Sequence, residues 1–452
     1  MARWQHELKQ LLTLMGPILI TQLAQAGYGF VDTIMAGQVS PLDLAAVAIG
    51  SGLWLPVFLL ISGTVMATTP LVAAAFGAGR DHDVAHIAHQ SLWVGLICGL
   101  IGLVVLRLTP LAFDLMAVPG HLQAPTRLYL EGIAWGMPPV ALFCALRYYS
   151  EALGQTRPVM IISVLGVLLN IPVNYVFIHG KLGLPAMGGA GCGWATAVVM
   201  LTLMLVLLGW VLLAKPYARH RLFHEWPRPD RVRIRRIFAL GLPIGIAIFF
   251  EVSIFSLVAL LVSPLGERVV AAHQVSMSVT SLLFMVPLSL AISMTIRTGQ
   301  AFGRHDWAAI RLIRQTGLML TTGIACLSAL FIIIFRADIT GIYSDDPAVR
   351  QLAAALLLFA AAYQVFDALQ VGAAGCLRGV QDTRSPMVLT LIAYWVIAMP
   401  LGYSLGMSRF WTDEPLGAHG FWTGLVVGLG TACLLLNWQL ARRLKRLEKR
   451  WA

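Results

Sequence analysis

Twelve times along the chain the sequence runs for about twenty residues or more almost without charge, and this recurrence constrains the fold more than any motif. A helix of about 20 apolar residues crosses a hydrocarbon layer roughly 30 Å thick. The runs fall near 11–37, 44–74, 86–109, 127–150, 158–178, 190–214, 235–262, 268–298, 310–335, 349–375, 385–408 and 418–441. Lipid offers the backbone no hydrogen-bond partners, so a spanning segment is either a helix or a strand of a closed barrel. The period-two alternation of barrel strands is absent, and the runs predict an all-α integral membrane protein of twelve transmembrane helices. Composition agrees: 12% of the 452 residues are charged, against about 25% in a typical soluble domain.

The net charge of +11 raises nucleic-acid binding, but its distribution argues against it. With a cytoplasmic N-terminus, 25 of the 32 Lys and Arg fall on the cytoplasmic side. The largest groups are KPYARHRLFHEWPRPDRVRIRR (215–236) and ARRLKRLEKR (441–450). That is the positive-inside pattern, which explains the basicity as membrane orientation and predicts both termini in the cytoplasm. Six scattered cysteines show no C-x-x-C spacing, so neither a disulfide framework nor a zinc site is expected. Arg3 and Lys9, an apolar run and Ala24-Gln25-Ala26 loosely imitate a signal peptide. An internal repeat places that run inside the fold, so it is expected to be retained.

The repeat appears when Pro17 is set against Pro243, an offset of 226. Ala45-Ala46 then meets Ala271-Ala272, and Ala75-Phe76-Gly77 meets Ala301-Phe302-Gly303. Further on, GQTRPVM (154–160) resembles VQDTRSPMV (380–388), and Gly189-Ala190 with Trp194 matches Gly417-Ala418 with Trp422. Six spans per half return each half to the side it started from, so the repeats are parallel. The expected organisation is a six-helix lobe over 1–214, a basic cytoplasmic linker over 215–234, a second six-helix lobe over 235–441 and a basic tail over 442–452. Two pseudosymmetric lobes are a transporter architecture, because rocking them exposes a central cavity to alternate sides.

Three acids interrupt otherwise uncharged spans: Asp32, Glu251 and Asp367. The repeat supplies a control, since their counterparts in the other half are Val258, Gln25 and Cys144. The fold tolerates an uncharged residue at each place, so the acids look like additions for function. A carboxylate drawn out of water can be neutralised by a proton, by Na⁺ or by an organic cation. If these compete for one group, the inorganic cation expels the organic one, which is antiport. The bland alternative for each acid is an interhelical hydrogen bond that helps packing.

Neighbours sharpen the picture. Tyr363 and Asp367 are four apart and share a helix face, so the phenol can bond the carboxylate or offer its ring to a cation. Glu251 follows Phe249-Phe250. Asn170 and Asn174 are also four apart, and their amide oxygens either bind Na⁺, hydrogen-bond Asp32 or glue helices together. Arg147 and Glu151, at the same spacing, read as a local ion pair or a snorkelling contact near a helix end. His273 reads as a packed or water-facing histidine in preference to a titrating one. Prolines 17, 56, 172, 243, 287 and 400 are expected to interrupt helices. No G-x-x-x-x-G-K-[ST], H-E-x-x-H or G-x-S-x-G motif is present, so neither ATP-driven pumping nor hydrolysis is indicated, and the chain is not expected to be an enzyme.

The stretches MGPILITQLAQAGYGFVDTIMAG, PLVAAAFGAGR, YSEALGQTRP and LRGVQDTRSP resemble the multidrug and toxic compound extrusion (MATE) family, in its bacterial NorM-type subfamily, and the likeness runs over essentially the whole length. The resemblance implies a V-shaped bundle of two six-helix lobes in the bacterial inner membrane. It implies export of hydrophobic cationic drugs and dyes, fluoroquinolones included, in exchange for H⁺ or Na⁺ and without a cofactor. By the same resemblance Asp32, Asn170 and Asn174 form a first-lobe cation site, and Glu251, Tyr363 and Asp367 a second. Asp32, Glu251 and Asp367 are also the expected contacts for the drug, and a monomer is the expected working form. Family members with these residues differ in coupling ion, which leaves H⁺ and Na⁺ both open. The alternative function is a lipid-linked oligosaccharide flippase of related architecture, although its anionic headgroups would call for Arg or Lys where this chain has acids.

Overall fold

The structure, a computed structural model, describes residues 2–220, 222, 228–409 and 413–451. Residues 221 and 223–227 of the expected linker, and residue 452 of the tail, lie outside the described residues. Sixteen α-helices follow in order: α1 (Ala2–Val39), α2 (Pro41–Val65), α3 (Thr68–Gly77), α4 (Asp81–Leu108), α5 (Gly120–Trp135), α6 (Met137–Ala152), α7 (Thr156–His179), α8 (Gly191–Leu213), α9 (Lys215–Ala218), α10 (Arg231–Val262), α11 (Glu267–Gly303), α12 (Trp307–Tyr343), α13 (Pro347–Gly379), α14 (Arg384–Leu391), α15 (Met399–Met407) and α16 (Ala418–Trp451). No strand occurs among the described residues.

All twelve expected spans are helical. Among the described residues, ten helical stretches are long and apolar enough to cross a membrane, and α5 with α6, bent by 42° at their junction, makes an eleventh. The first span is α1, 38 residues long, whose Gln22, Gln25 and Asp32 dilute its apolar character. The chain is an all-α integral membrane protein. Local chemistry sets several helix ends. The Ser40 hydroxyl caps α2 by accepting from the Asp43 N–H at 3.0 Å, with Pro41 in the first turn. Asp306 and Asp346 cap α12 and α13 in the same way.

Four features depart from straight spans. The second expected span breaks between α2 and α3 at Met66–Ala67. The fourth bends between α5 and α6, where Pro138 and Pro139 follow Gly136. Between α14 and α15, Ile392–Ala398 forms a π-helical segment. Pro400 follows it, without an N–H and with a ring that crowds the Val396 carbonyl, and a wider turn relieves both problems. Pro17, Pro56, Pro172, Pro243 and Pro287 by contrast lie inside continuous helices. In the expected tail α16 runs on without a break to Trp451.

The chain divides into two compact units, Gly16–Gly245 and Met1–Met15 with Ile246–Ala452. In the first, the core is built from α2 to α8 around buried Tyr129, Met137, Phe143 and Leu207. The linker residues that follow α8 dock on this unit. Arg219 reaches Asp81 at 2.6 Å, Arg233 reaches Asp83 at 3.0 Å, and the Gln90 amide bonds the Arg228 carbonyl and the Asp230 N–H.

The second unit contains the first turns of α1. Glu7 there accepts two hydrogen bonds from Arg297, at 2.9 and 2.7 Å, and Leu11 is buried beside Ile313 and Leu440. Within this unit α15 and α16 pack backbone to backbone. Any Cβ on Gly420 or Gly424 would run into the main chain at Gly406 and Gly402. Small residues at intervals of four let membrane helices approach this closely.

Candidate functional site

Asp32 comes from α1, two turns before its C-terminal end, and three side chains from α7 and α8 converge on it. Asn170 and Asn174 lie one turn apart on α7, so both amides face the same way. Each donates an N–H to Asp32 Oδ1, at 2.9 and 2.7 Å. The Thr196 hydroxyl of α8 donates to Oδ2 at 3.1 Å, and Cys192 Sγ lies 3.8 Å from the Asp32 backbone carbonyl. All four side chains of the cluster are buried, Asn170 and Asn174 completely. The sequence left three uses open for the asparagines, and the structure has them bonding Asp32 through their N–H groups. Their amide oxygens are buried without hydrogen-bond partners.

No basic side chain pairs with Asp32 among the described residues, so every bond to its carboxylate comes from a neutral group. Asp32 also lines a cavity of about 450 Å³ inside the first unit. Aromatic side chains make much of its wall: Tyr28, Trp54, Phe58, Tyr129 and Phe143. Trp54 and Phe58 stack with ring centroids 5.0 Å apart, and the Tyr28 hydroxyl is held by the Ser163 carbonyl at 3.2 Å. Gln25 lines the same cavity. It is the repeat counterpart of Glu251, so a polar residue stands at that position in both halves.

The second acid cluster lies within the other unit. Asp367, on α13, is 1% exposed and its Oδ1 has no hydrogen-bond partner. Glu251, on α10, is close enough for the two carboxyls to interact electrostatically, and Tyr363 and Tyr394 lie in the field of both. Tyr363 sits one turn before Asp367 and packs edge-on against Phe255 and Trp422, at 6.1 and 6.2 Å. Tyr394 is delivered by the π-helical segment and donates its hydroxyl to Gln370 Oε1 at 2.7 Å. The next residue, Trp395, donates to the Phe250 carbonyl at 3.2 Å, bracing α10 beside Glu251.

The six expected residues therefore fall into two clusters, three in each. Thr196, Tyr129, Gln370 and Tyr394 were not anticipated. A hydroxyl on an apolar helix carries little signal, since it usually bonds its own backbone, as Thr202 does with the Val198 carbonyl at 2.9 Å. The lesser candidates resolve as packing elements. Arg147 and Glu151 pair at 2.7 Å but are both fully buried, so neither snorkels, and Arg147 also bonds Gln22 of α1 at 2.8 Å. His273 is packed, accepting from the Trp422 indole at 3.2 Å.

Comparison with known proteins identifies the family. The MatE family model matches residues 17–176 and 243–404, two stretches that begin 226 residues apart, as the internal repeat does. The chain is 49% identical over 448 residues to a protein of Acinetobacter baylyi called probable multidrug resistance protein NorM, covering 99% of each. It is 48% identical over 445 residues to multidrug resistance protein PmpM of Pseudomonas aeruginosa, covering 98% of this chain and 93% of that one. Its fold matches a crystal structure of MATE in complex with MaL6, with a TM-score of 0.88 at 22% identity over 98% of this chain and 97% of that one. Membrane spans, duplicated halves and full-length relatives lead to one conclusion: the chain belongs to the MatE family of membrane transporters.

Proposed function

We propose that this protein exports hydrophobic organic cations, dyes and fluoroquinolone-type drugs among them, in exchange for H⁺ or Na⁺. The observation that carries the reading is the double position of Asp32. It forms part of the wall of an aromatic cavity, and its carboxylate is bonded by neutral donors only. A charge held in that way needs compensation from a cation that comes and goes, because an unpaired carboxylate in hydrocarbon costs several kcal/mol. A proton, a Na⁺ ion and an organic cation each supply it, and one displaces another. The cavity of about 450 Å³ is of drug-binding size, and aromatic faces attract cations as well as apolar rings. The unpartnered amide oxygens of Asn170 and Asn174 are hard donors of the kind Na⁺ accepts.

Glu251, Tyr363 and Asp367 act in this scheme as a second cation-coupling set, with the carboxylates also available to the drug. The halves 1–214 and 235–441 work as pseudosymmetric lobes joined by the linker 215–234. The protein works as a monomer in a bacterial inner membrane, with both termini in the cytoplasm. The relatives' names, both multidrug resistance proteins, support the substrate class. The flippase alternative is less favoured, because no Lys or Arg is among the residues lining the cavity.

Binding tests the proposal directly. A fluorescent cationic dye should bind purified protein, leave on addition of acid or Na⁺, and bind the Asp32→Asn variant weakly. Dye binding indifferent to both ions and to the substitution would overturn it.

A further inference from the structure

From Leu436 onward α16 carries two opposed faces. Leu436, Leu440, Leu444 and Leu447 are buried against Leu11, Ile310 and Ile313. At about 100° per residue, Arg442, Lys445, Arg446 and Lys449 fall within an arc of about 100° on the opposite side. All four are exposed, and none forms an ion pair among the described residues. The one acid of this segment, Glu448, is occupied elsewhere, by the Trp307 indole at 2.8 Å and by Arg311 at 2.6 Å. These contacts pin the apolar side of the helix in place, so its cationic side has a fixed orientation.

Trp438 lies on the cationic face one turn earlier. It is 56% exposed, and the Arg442 guanidinium sits over its ring at 5.2 Å. Exposed tryptophans favour the headgroup level of a bilayer, where an apolar body meets a polar edge. Because α16 is a membrane span that continues without a break, the stripe starts at that level and extends about 10 Å beyond it. We infer that this face, Trp438 with Arg442, Lys445, Arg446 and Lys449, is a binding surface for anionic phospholipid headgroups. Basic residues clustered directly beside a span recognise such lipids through their phosphates, and the indole fixes the depth at which they meet. A soluble acidic partner would gain nothing from the exposed indole at headgroup level, which is why lipid is the favoured occupant.

The inference stands on α16 and its packing contacts and is independent of the transport cycle. Full-length protein would be reconstituted in phosphatidylcholine vesicles containing a minor fraction of phosphatidylglycerol, then extracted, and its retained lipids quantified by mass spectrometry. Wild type should retain phosphatidylglycerol at least about threefold above its bulk fraction. The variant Arg442→Gln/Lys445→Gln/Arg446→Gln/Lys449→Gln should fall to the bulk ratio, and Arg442→Lys/Arg446→Lys should keep the enrichment. Should the fourfold variant not fold, Arg442→Gln/Arg446→Gln alone should remove a substantial part of it. Enrichment unchanged in the glutamine variants would overturn the inference. So would its abolition by millimolar inorganic phosphate, which would mark a free-anion site.

Discussion

Asp32 is held by geometry that separates its charge from its packing. Replacing it with Asn preserves size and keeps one acceptor oxygen, so Asp32→Asn should fold as wild type does while ion-driven export falls at least about tenfold, or roughly 1.4 kcal/mol. Dye efflux from cells or vesicles at matched protein levels measures this, and export at the wild-type rate would remove Asp32 from the mechanism. Thr196 gives a finer test, because its hydroxyl donates to Oδ2. Thr196→Val deletes one bond to a carboxylate, worth about 1.5–3 kcal/mol, and should slow export while Thr196→Ser stays near wild type. Equal effects from both would mean that shape, not the donor, matters there. The acids were legible in the sequence because any charge inside a twenty-residue apolar run is conspicuous. Thr196 was not legible, since the choice between its own backbone and Asp32 depends on how α8 is rotated against α1.

At the scale of elements, Arg147 and Glu151 show the difference between spacing and burial. Their separation of four residues predicts the pair, but only the packed fold shows that both are out of water and that Gln22 completes the arginine's bonding. Removing one partner of such a pair costs about 3–5 kcal/mol, whereas replacing both by apolar residues is often neutral. Thermal unfolding in detergent should therefore rank Arg147→Met well below wild type and the double variant Arg147→Met/Glu151→Leu above either single one. A double variant less stable than both would contradict this. Gly424→Leu should destabilise the second unit by about 1–3 kcal/mol or more, since its side chain meets the Gly402 backbone. Breaks and windings were the least legible elements. The bend at Gly136, the break at Met66–Ala67 and the π-helical segment at 392–398 depend on backbone bonding that average hydropathy does not encode.

The docked linker adds a pH-dependent element. His220 is buried against Asp81, 3.3 Å away, and burial holds its imidazole below the ordinary histidine range despite that carboxylate. The unfolded strap then binds more protons than the docked one below about pH 6.5. Its contribution is complete above that value and shrinks as the pH falls. Hydrogen exchange over 214–220 should accelerate between pH 7.5 and 5.5 after correction for intrinsic rates, and slower corrected exchange at pH 5.5 would contradict the sign.

At the scale of the whole molecule, the class of protein was readable because bilayer thickness and the exclusion of charge act on long averages of sequence. Duplication was readable from small residues that recur where helices begin and end. The cavity was not, since its wall joins residues from α1 to α8 that have no sequence pattern in common. In the proposed cycle, cation entry drives organic cation exit through the buried acids. The most direct measurement places purified protein in liposomes loaded with a cationic dye and imposes a pH gradient or a Na⁺ gradient separately. At least one gradient should drive dye against its own concentration difference, and Asp32→Asn, Glu251→Gln and Asp367→Asn should each reduce that flux. Dye movement of equal rate with neither gradient present, or full exchange in all three variants, would contradict the account.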